Sequence, residues 1–319
     1  TLLDRITNIR RRSALDMGLI VPPIRIRDNM ELEPEMYSIL IKGVEVGRGT
    51  LQVGKLMAMD SGDITEKISG VEFVEPVFNL NAIWVEPDNR DLAESKGYTV
   101  VDCPTIIATH LTEIIRRHAD EILGREEVKK LIDNIRGDYP AVVKEIEEKM
   151  KYGEIQKVLQ NLLRERVSIR NMVTILETLA TYYDFTTDTG MLTEYVRGAL
   201  ARQIAGTFTN EDNVLSVITV DPEIESVIRG SIHDDPVEGR VLGMDPDTHN
   251  AVVNSLLEAY QRSSRMGFTP VFLVSPQIRS VTFALLEREV QAPAVLAYNE
   301  ISKNIKVNVV VSALMPATA

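Results

Sequence analysis

Val21-Pro-Pro-Ile-Arg-Ile-Arg-Asp-Asn29 marks the point where a charged leader gives way to a folded domain. Pro22 and Pro23 disfavour helix, because the ring fixes φ, removes an N–H donor and pushes the preceding residue toward extended backbone. Beyond them the residues alternate, so a strand would turn Ile24 and Ile26 to a core and Arg25 and Arg27 to water. Asp28 and Asn29 supply turn chemistry. Upstream, Arg5-Ile-Thr-Asn-Ile-Arg-Arg-Arg12 is polar and positive. Leu2, Leu3, Ile6, Ile9 and Leu15 have partial helical spacing up to Gly18. That pattern predicts one or two helical turns, too short to be stable without a surface to dock on.

The chain has 319 residues and is 44% hydrophobic, enough for several domains with real cores. Its formal charge is −12, and its basic cluster of Arg5, Arg10, Arg11 and Arg12 is too small for a nucleic-acid groove. Residues 211–247, Glu238 among them, are strongly acidic and read as solvated loops and helix starts. Cys103 is the only cysteine, which excludes an internal disulfide framework and fits a reducing compartment. There is no run of 18 apolar residues and no signal-peptide pattern.

Strands are expected at Tyr37–Lys42, Val44–Arg48, Leu51–Met59 and Ile83–Val85, with Gly43 closing a hairpin. A short helix, Asp88–Lys96, stops at Gly97, and a strand follows at Tyr98–Val101. Thr105–Leu123 is the first long helix, with Ile106, Ile107, His110, Leu111, Ile114, Ile115 and His118 on its apolar side. Helices then dominate to Ile204. After strand Val214–Val220, Asp221-Pro222 starts a helix and Ser231–Pro246 reads as loop. Strand–helix–strand order to Ser312 predicts a compact α/β unit. The fold class is therefore α/β (α+β) and multidomain. The expected modules are a linker at 1–20, a β-rich α/β module at 21–96 plus 146–165, a small insertion at 97–145, a mainly helical module at 166–245 and a C-terminal α/β module at 246–319.

Candidate chemistry is thin. Gly49-Thr-Leu-Gln-Val-Gly54-Lys55-Leu56 nearly matches a phosphate-binding loop, but Leu56 replaces the hydroxyl that holds Mg²⁺. The segment also reads as strand, where the motif needs a loop feeding a helix. His110 and His118 lack a convergent third metal ligand. Cys103 has no visible base or thiolate-stabilising neighbour. A nucleotide-binding or cysteine-dependent enzyme is the alternative class; the reading preferred on these residues is an interaction scaffold that is not an enzyme, with no cofactor and no metal.

Four motifs in order resemble the FlhA (FHIPEP) family of flagellar and virulence type III export-gate proteins. They are Asp4-Arg-Ile6 through Asn29; Gly97-Tyr-Thr-Val-Val-Asp102 with Pro104-Thr-Ile-Ile-Ala-Thr-His-Leu111; Leu123-Gly-Arg-Glu-Glu127 with Leu131-Ile-Asp133; and Val158-Leu-Gln-Asn-Leu-Leu163 through Val167-Ser-Ile-Arg-Asn171 and Ile175-Leu-Glu-Thr-Leu179. Thr193-Glu-Tyr-Val-Arg197 with Leu200-Ala-Arg-Gln203 is a looser fifth. Cys103 stands where the family is expected to carry proline.

The resemblance implies a non-catalytic docking platform beneath the export gate at the cytoplasmic face of the bacterial inner membrane, held there by an N-terminal membrane domain outside this chain. It implies a nonameric ring, and as partners export chaperones carrying late flagellar substrates and the export ATPase complex. A virulence homologue would have the same role. By motif position, Pro104, Ala108, His118 and Glu121, flanked by Tyr152 and Gln160, form the chaperone-docking cleft. Leu3, Ile6, Ile9, Arg10 and Arg11 are expected to be an inter-subunit linker docking on a neighbouring copy.

Overall fold

The computed structural model describes residues 1–235 and 239–315; Glu238 of the acidic segment and the last four residues of the C-terminal module lie outside them. It divides into two compact units, residues 1–127 and 128–319. It is 47% helical and 20% strand, the mixed multidomain architecture that the residue pattern predicts.

The first unit comprises α1 (Leu2–Met17), β1 (Met36–Ile41), β2 (Val44–Thr50), β3 (Leu56–Met59), β4 (Val71–Val74), β5 (Asn81–Val85), α2 (Arg90–Ser95), β6 (Thr99–Asp102), α3 (Cys103–Arg117) and α4 (Ala119–Ile122). β1 and β2 form the expected hairpin, with Lys42 and Gly43 both at positive φ (50° and 83°), the turn that matches strand twist. The order β4-β5-β3-β6 makes an antiparallel sheet. β4 escaped the sequence reading; its Phe73 stacks on Trp84 at 5.0 Å. Gly97 has φ of 90°, and a Cβ there would meet the Asp63 carbonyl oxygen at 2.3 Å, so only glycine makes this turn into β6.

Three expectations need correction here. α1 is a 16-residue helix, not one or two turns. Thr1 and Asp4 cap its start reciprocally, and Gly18 ends it in the left-handed conformation. Tertiary contact supplies what a short helix lacks: α1 packs on α3, Ile6 is buried, and Arg5 lies 3.7 Å from Asp102. Second, Val21–Asn29 joins no ladder and Ile26 is 56% exposed. Alternation specifies which side chains share a face; it does not supply a neighbouring strand. Third, Leu51–Lys55 is a turn through Gly54 rather than the first half of a strand.

Buried His110 joins the hairpin to α3. Tyr37 Oη and His110 Nδ1 lie 2.8 Å apart, with the rings edge-on. Burial first, and then Arg117, push the imidazole below its ordinary value, while Glu75 opposes them. Burial and Glu75 push the Tyr37 phenol up to about 12. Tyr37 therefore donates to a neutral His110. Buried Glu75 accepts from the Val77 and Phe78 N–H groups at 2.8 and 2.5 Å, fixing the loop after β4.

The second unit holds most of α5 (Arg125–Arg136), then α6 (Pro140–Lys149), α7 (Tyr152–Arg164), α8 (Met172–Tyr182), α9 (Thr189–Ala199), α10 (Ala201–Gly206), β7 (Val214–Val220), α11 (Pro222–Gly230), β8 (Ile232–Asp235), β9 (Gly239–Leu242), α12 (Pro246–Arg265), β10 (Val271–Val274), α13 (Arg279–Leu286), β11 (Ala294–Ala297) and β12 (Lys306–Ala313). Ile155, Val158, Leu159 and Leu162 recur at helical spacing and are buried, so α7 turns a continuous apolar face inward. The parallel sheet runs β11-β10-β7-β12 around Phe272, Ile218 and Val274. The segment read as loop at 231–246 contains the β8–β9 hairpin, anchored where Ile232 faces Leu242. Asp234 and Asp235 are exposed and hide the alternation. The four-module division is finer than these two units and stands as a proposal; β7 ties residues 214–220 to the C-terminal sheet.

Five charged groups meet inside this unit. Arg279, fully buried, grips Glu165 at 2.5 and 2.9 Å and Glu194 at 2.5 and 2.7 Å. Buried Arg197 holds Glu165 at 2.7 Å and Glu300 at 2.7 and 3.2 Å. Burial alone would raise the Glu165 carboxyl; Arg279 and Arg197 together hold it below its ordinary value.

Two outcomes are expected. Arg279→Ala leaves Glu165 with Arg197 alone and removes the partner of Glu194, and should destabilise the second unit by about 3 kcal/mol, read as a lower urea midpoint with little change in slope. A loss under about 1 kcal/mol would place the network among ordinary surface pairs. His110 is held neutral when folded, so the unfolded chain takes up a proton that the folded one refuses. Its contribution is complete above the unfolded value of 6.5 and is lost as pH falls below that. Urea midpoints should decline from about pH 6.5 toward 5.5, and His110→Gln should flatten that decline; an unchanged pH profile would contradict it.

Candidate partner-docking site

The sequence-derived site residues fall on both units, four on the first and two on the second. On α3, Pro104 and Ala108 are spaced i, i+4 and share a stripe with buried Leu111 and Ile115. Asp102 caps the helix, its carboxylate accepting from the Thr105 N–H at 2.9 Å, so Pro104 occupies the first turn where its missing N–H costs nothing. Pro104 and Ala108 are themselves half-buried.

The helix expected to run unbroken to Leu123 breaks at His118, whose φ of −112° ends α3 and begins α4. The break folds Glu121 back, so that His118 Nδ1 and Glu121 Oε2 lie 3.2 Å apart. Lys42 at the hairpin tip donates to the Glu121 carbonyl at 2.8 Å. Leu40 and Val44 flank Lys42 and are 56% and 64% exposed. Sequence reasoning missed this contribution, because nothing in the β1–β2 pattern says where its tip lands.

On α7, Tyr152 and Gln160 are both half-buried. Tyr152 Oη donates to Glu147 at 2.6 Å, and Arg136 clamps the same carboxylate at 2.7 and 2.9 Å. Arg136 first and Tyr152 second lower the Glu147 carboxyl to about 2. The phenol is thus fixed in direction, with its ring as the group left to offer. Of the leader residues, Ile6 is buried, Ile9 and Arg10 are half-buried, and Leu3 and Arg11 are exposed. Arg10 Nε donates to the Val21 carbonyl at 3.0 Å.

The segments suggestive of catalysis are built differently from catalytic ones. Gly49–Leu56 passes from β2 through a turn into β3, an antiparallel strand, so the segment does not feed a helix as a phosphate-binding loop must. The Cys103 thiol lies 3.5 and 3.8 Å from the carbonyls of Gln52 and Lys55. Burial, and then Asp102, push it up, away from the thiolate a nucleophile requires. Among the described residues, no group of three or more His, Cys, Asp or Glu could hold a metal, and no helix is long and apolar enough to cross a membrane.

The model of the FHIPEP family matches residues 1–306. The flagellar biosynthesis protein FlhA of Bacillus subtilis is 43% identical over 307 residues, which are 96% of this chain and 45% of that protein. The chain thus spans less than half the length of that relative. In the solved complex of CdsV and CdsO from Chlamydia pneumoniae, the matching chain is 28% identical, with a TM-score of 0.84, covering 98% of this chain and 90% of that one. The nonameric SctV-C of EPEC, at 24% identity and a TM-score of 0.79 over 98% of this chain and 93% of that one, shares the fold. Motifs, fold and relatives agree, and the chain belongs to the FHIPEP family.

Proposed function

We propose that this chain is the docking portion of a flagellar type III protein export gate, lying at the cytoplasmic face of the bacterial inner membrane and tethered there by an N-terminal membrane domain. The family match over residues 1–306 carries this reading. The 43% identity to the Bacillus subtilis flagellar protein favours the flagellar system, since the EscV cytosolic domain from the type III secretion system is 24% identical. A virulence export gate with the same role is the second reading.

The chain works by binding, without catalysis. It assembles as a ring, a reading supported by the nonameric state of SctV-C. Export chaperones carrying late substrates dock through Pro104, Ala108, His118 and Glu121 of the first unit and Tyr152 and Gln160 of the second. In the first unit, Pro104 and Ala108 with His118 and Glu121 on the same chain segment suit an apolar anchor beside a polar rim. Components of the export ATPase complex dock on the same ring; that CdsV is solved with a second protein, CdsO, supports a platform serving several partners.

Half-buried Ala108 gives the test. Ala108→Glu should weaken a purified chaperone–substrate complex by about tenfold in calorimetry while leaving the melting temperature nearly unchanged. A large loss of stability would make Ala108 a core residue. Unchanged stability with unchanged affinity for every chaperone tried would remove the site from α3.

A further inference from the structure

In the second unit a cavity of about 400 Å³ opens on α8 and α9. Glu177, Tyr182, Glu194 and Tyr195 line it, and Gly198 and Ala199 leave it without bulky side chains on that side. The Tyr182 and Tyr195 rings are parallel within 5° at 4.0 Å. Phe185 lies beside Tyr182 at 6.4 Å and is 80% exposed, so it covers no core. Glu194 is engaged by Arg279, whereas the exposed Glu177 carboxylate has no partner among the described residues. Aromatic faces beside an uncompensated carboxylate suit a guanidinium, which stacks on the rings while pairing with the acid.

The first unit carries the complementary feature. Arg25 and Arg27 are exposed and have no partner among the described residues, and the apolar Ile26 and Met30 between and beyond them are 56% and 96% exposed. Pro22 and Pro23 stiffen the base of this arm, and Arg10 pins it at the Val21 carbonyl, so ordering it on a surface costs little further entropy. Exposed Arg, Ile and Met on one element therefore match exposed Glu, Tyr and Phe on the other, in both charge and apolar character.

We infer that the Arg25-Ile26-Arg27 arm of one copy docks in the α8–α9 cavity of a second copy. This rests on the ring reading, which supplies the neighbour. Arg25 or Arg27 enters between Glu177 and the tyrosine rings, and Ile26 and Met30 pack on Phe185.

Two measurements on the whole chain test it. In sedimentation velocity, Arg25→Glu with Arg27→Glu, or Glu177→Arg, should each weaken self-association by about tenfold, and mixing the two charge-reversed chains should restore it. In a Cys103→Ser background, an Ile26→Cys chain mixed with a Phe185→Cys chain should be joined by a short bis-maleimide. The same Ile26→Cys chain with Met266→Cys, also exposed, should not be. A wild-type chain that stays monomeric at every concentration overturns the ring reading and this contact together. A chain that associates, but does so equally after charge reversal and without the selective cross-link, overturns this contact alone.

Discussion

Arg279 is the residue on which the second unit is organised. Its guanidinium is fully buried and bridges Glu165, at the end of α7, to Glu194, on α9. Arg197 extends the bridge from Glu165 to Glu300, just past β11, and both arginines also reach the Val295 carbonyl within β11. Taking such charges out of water is costly, and an apolar cluster of equal volume would often be as stable. The ionic version adds direction. Bidentate pairs hold only when both planes are aligned, so one cluster orients two helices against the edge of a parallel sheet. Glu194 also lines the α8–α9 cavity, so the same constraint fixes the wall of the surface to which the arm is assigned.

The elements legible in the sequence were those whose signal is local. The β1–β2 hairpin followed from Gly43 and the alternation around it, and α7 from its spaced aliphatic residues. Where the reading failed, the local pattern did not say what, if anything, lay beside the segment. α1 owes its length to α3 and to Asp102, a hundred residues on. The alternation at Ile24 and Ile26 was real as a pattern but had no strand beside it. Asp234 and Asp235 concealed β8 because exposed acids look like loop, and the apolar pair that anchors the strand is Ile232 with Leu242.

The proposed docking residues were legible in a different sense. Composition and periodicity singled out the apolar face of α3, and only the family motifs selected Pro104, Ala108, His118 and Glu121 from it. The structure adds physical content that neither source supplied: His118 breaks the helix and pairs with Glu121, and Lys42 brings an exposed apolar hairpin tip to the same corner. Conversely, the Arg279 network and the Tyr182–Tyr195 stack had no signature at all. Their members are separated by 13 residues in the tyrosine pair and by 114 in the Arg279–Glu165 pair, and no local rule couples such positions.

The proposed docking role should reveal its surface as protection. Hydrogen–deuterium exchange of this chain, alone and with a purified flagellar chaperone–substrate complex, measures that directly. Slowed exchange is expected in peptides spanning 104–121 and 152–160 and at the β1–β2 hairpin tip, with the 49–56 turn unaffected. Protection confined to 49–56, or none anywhere at saturating complex, would contradict it.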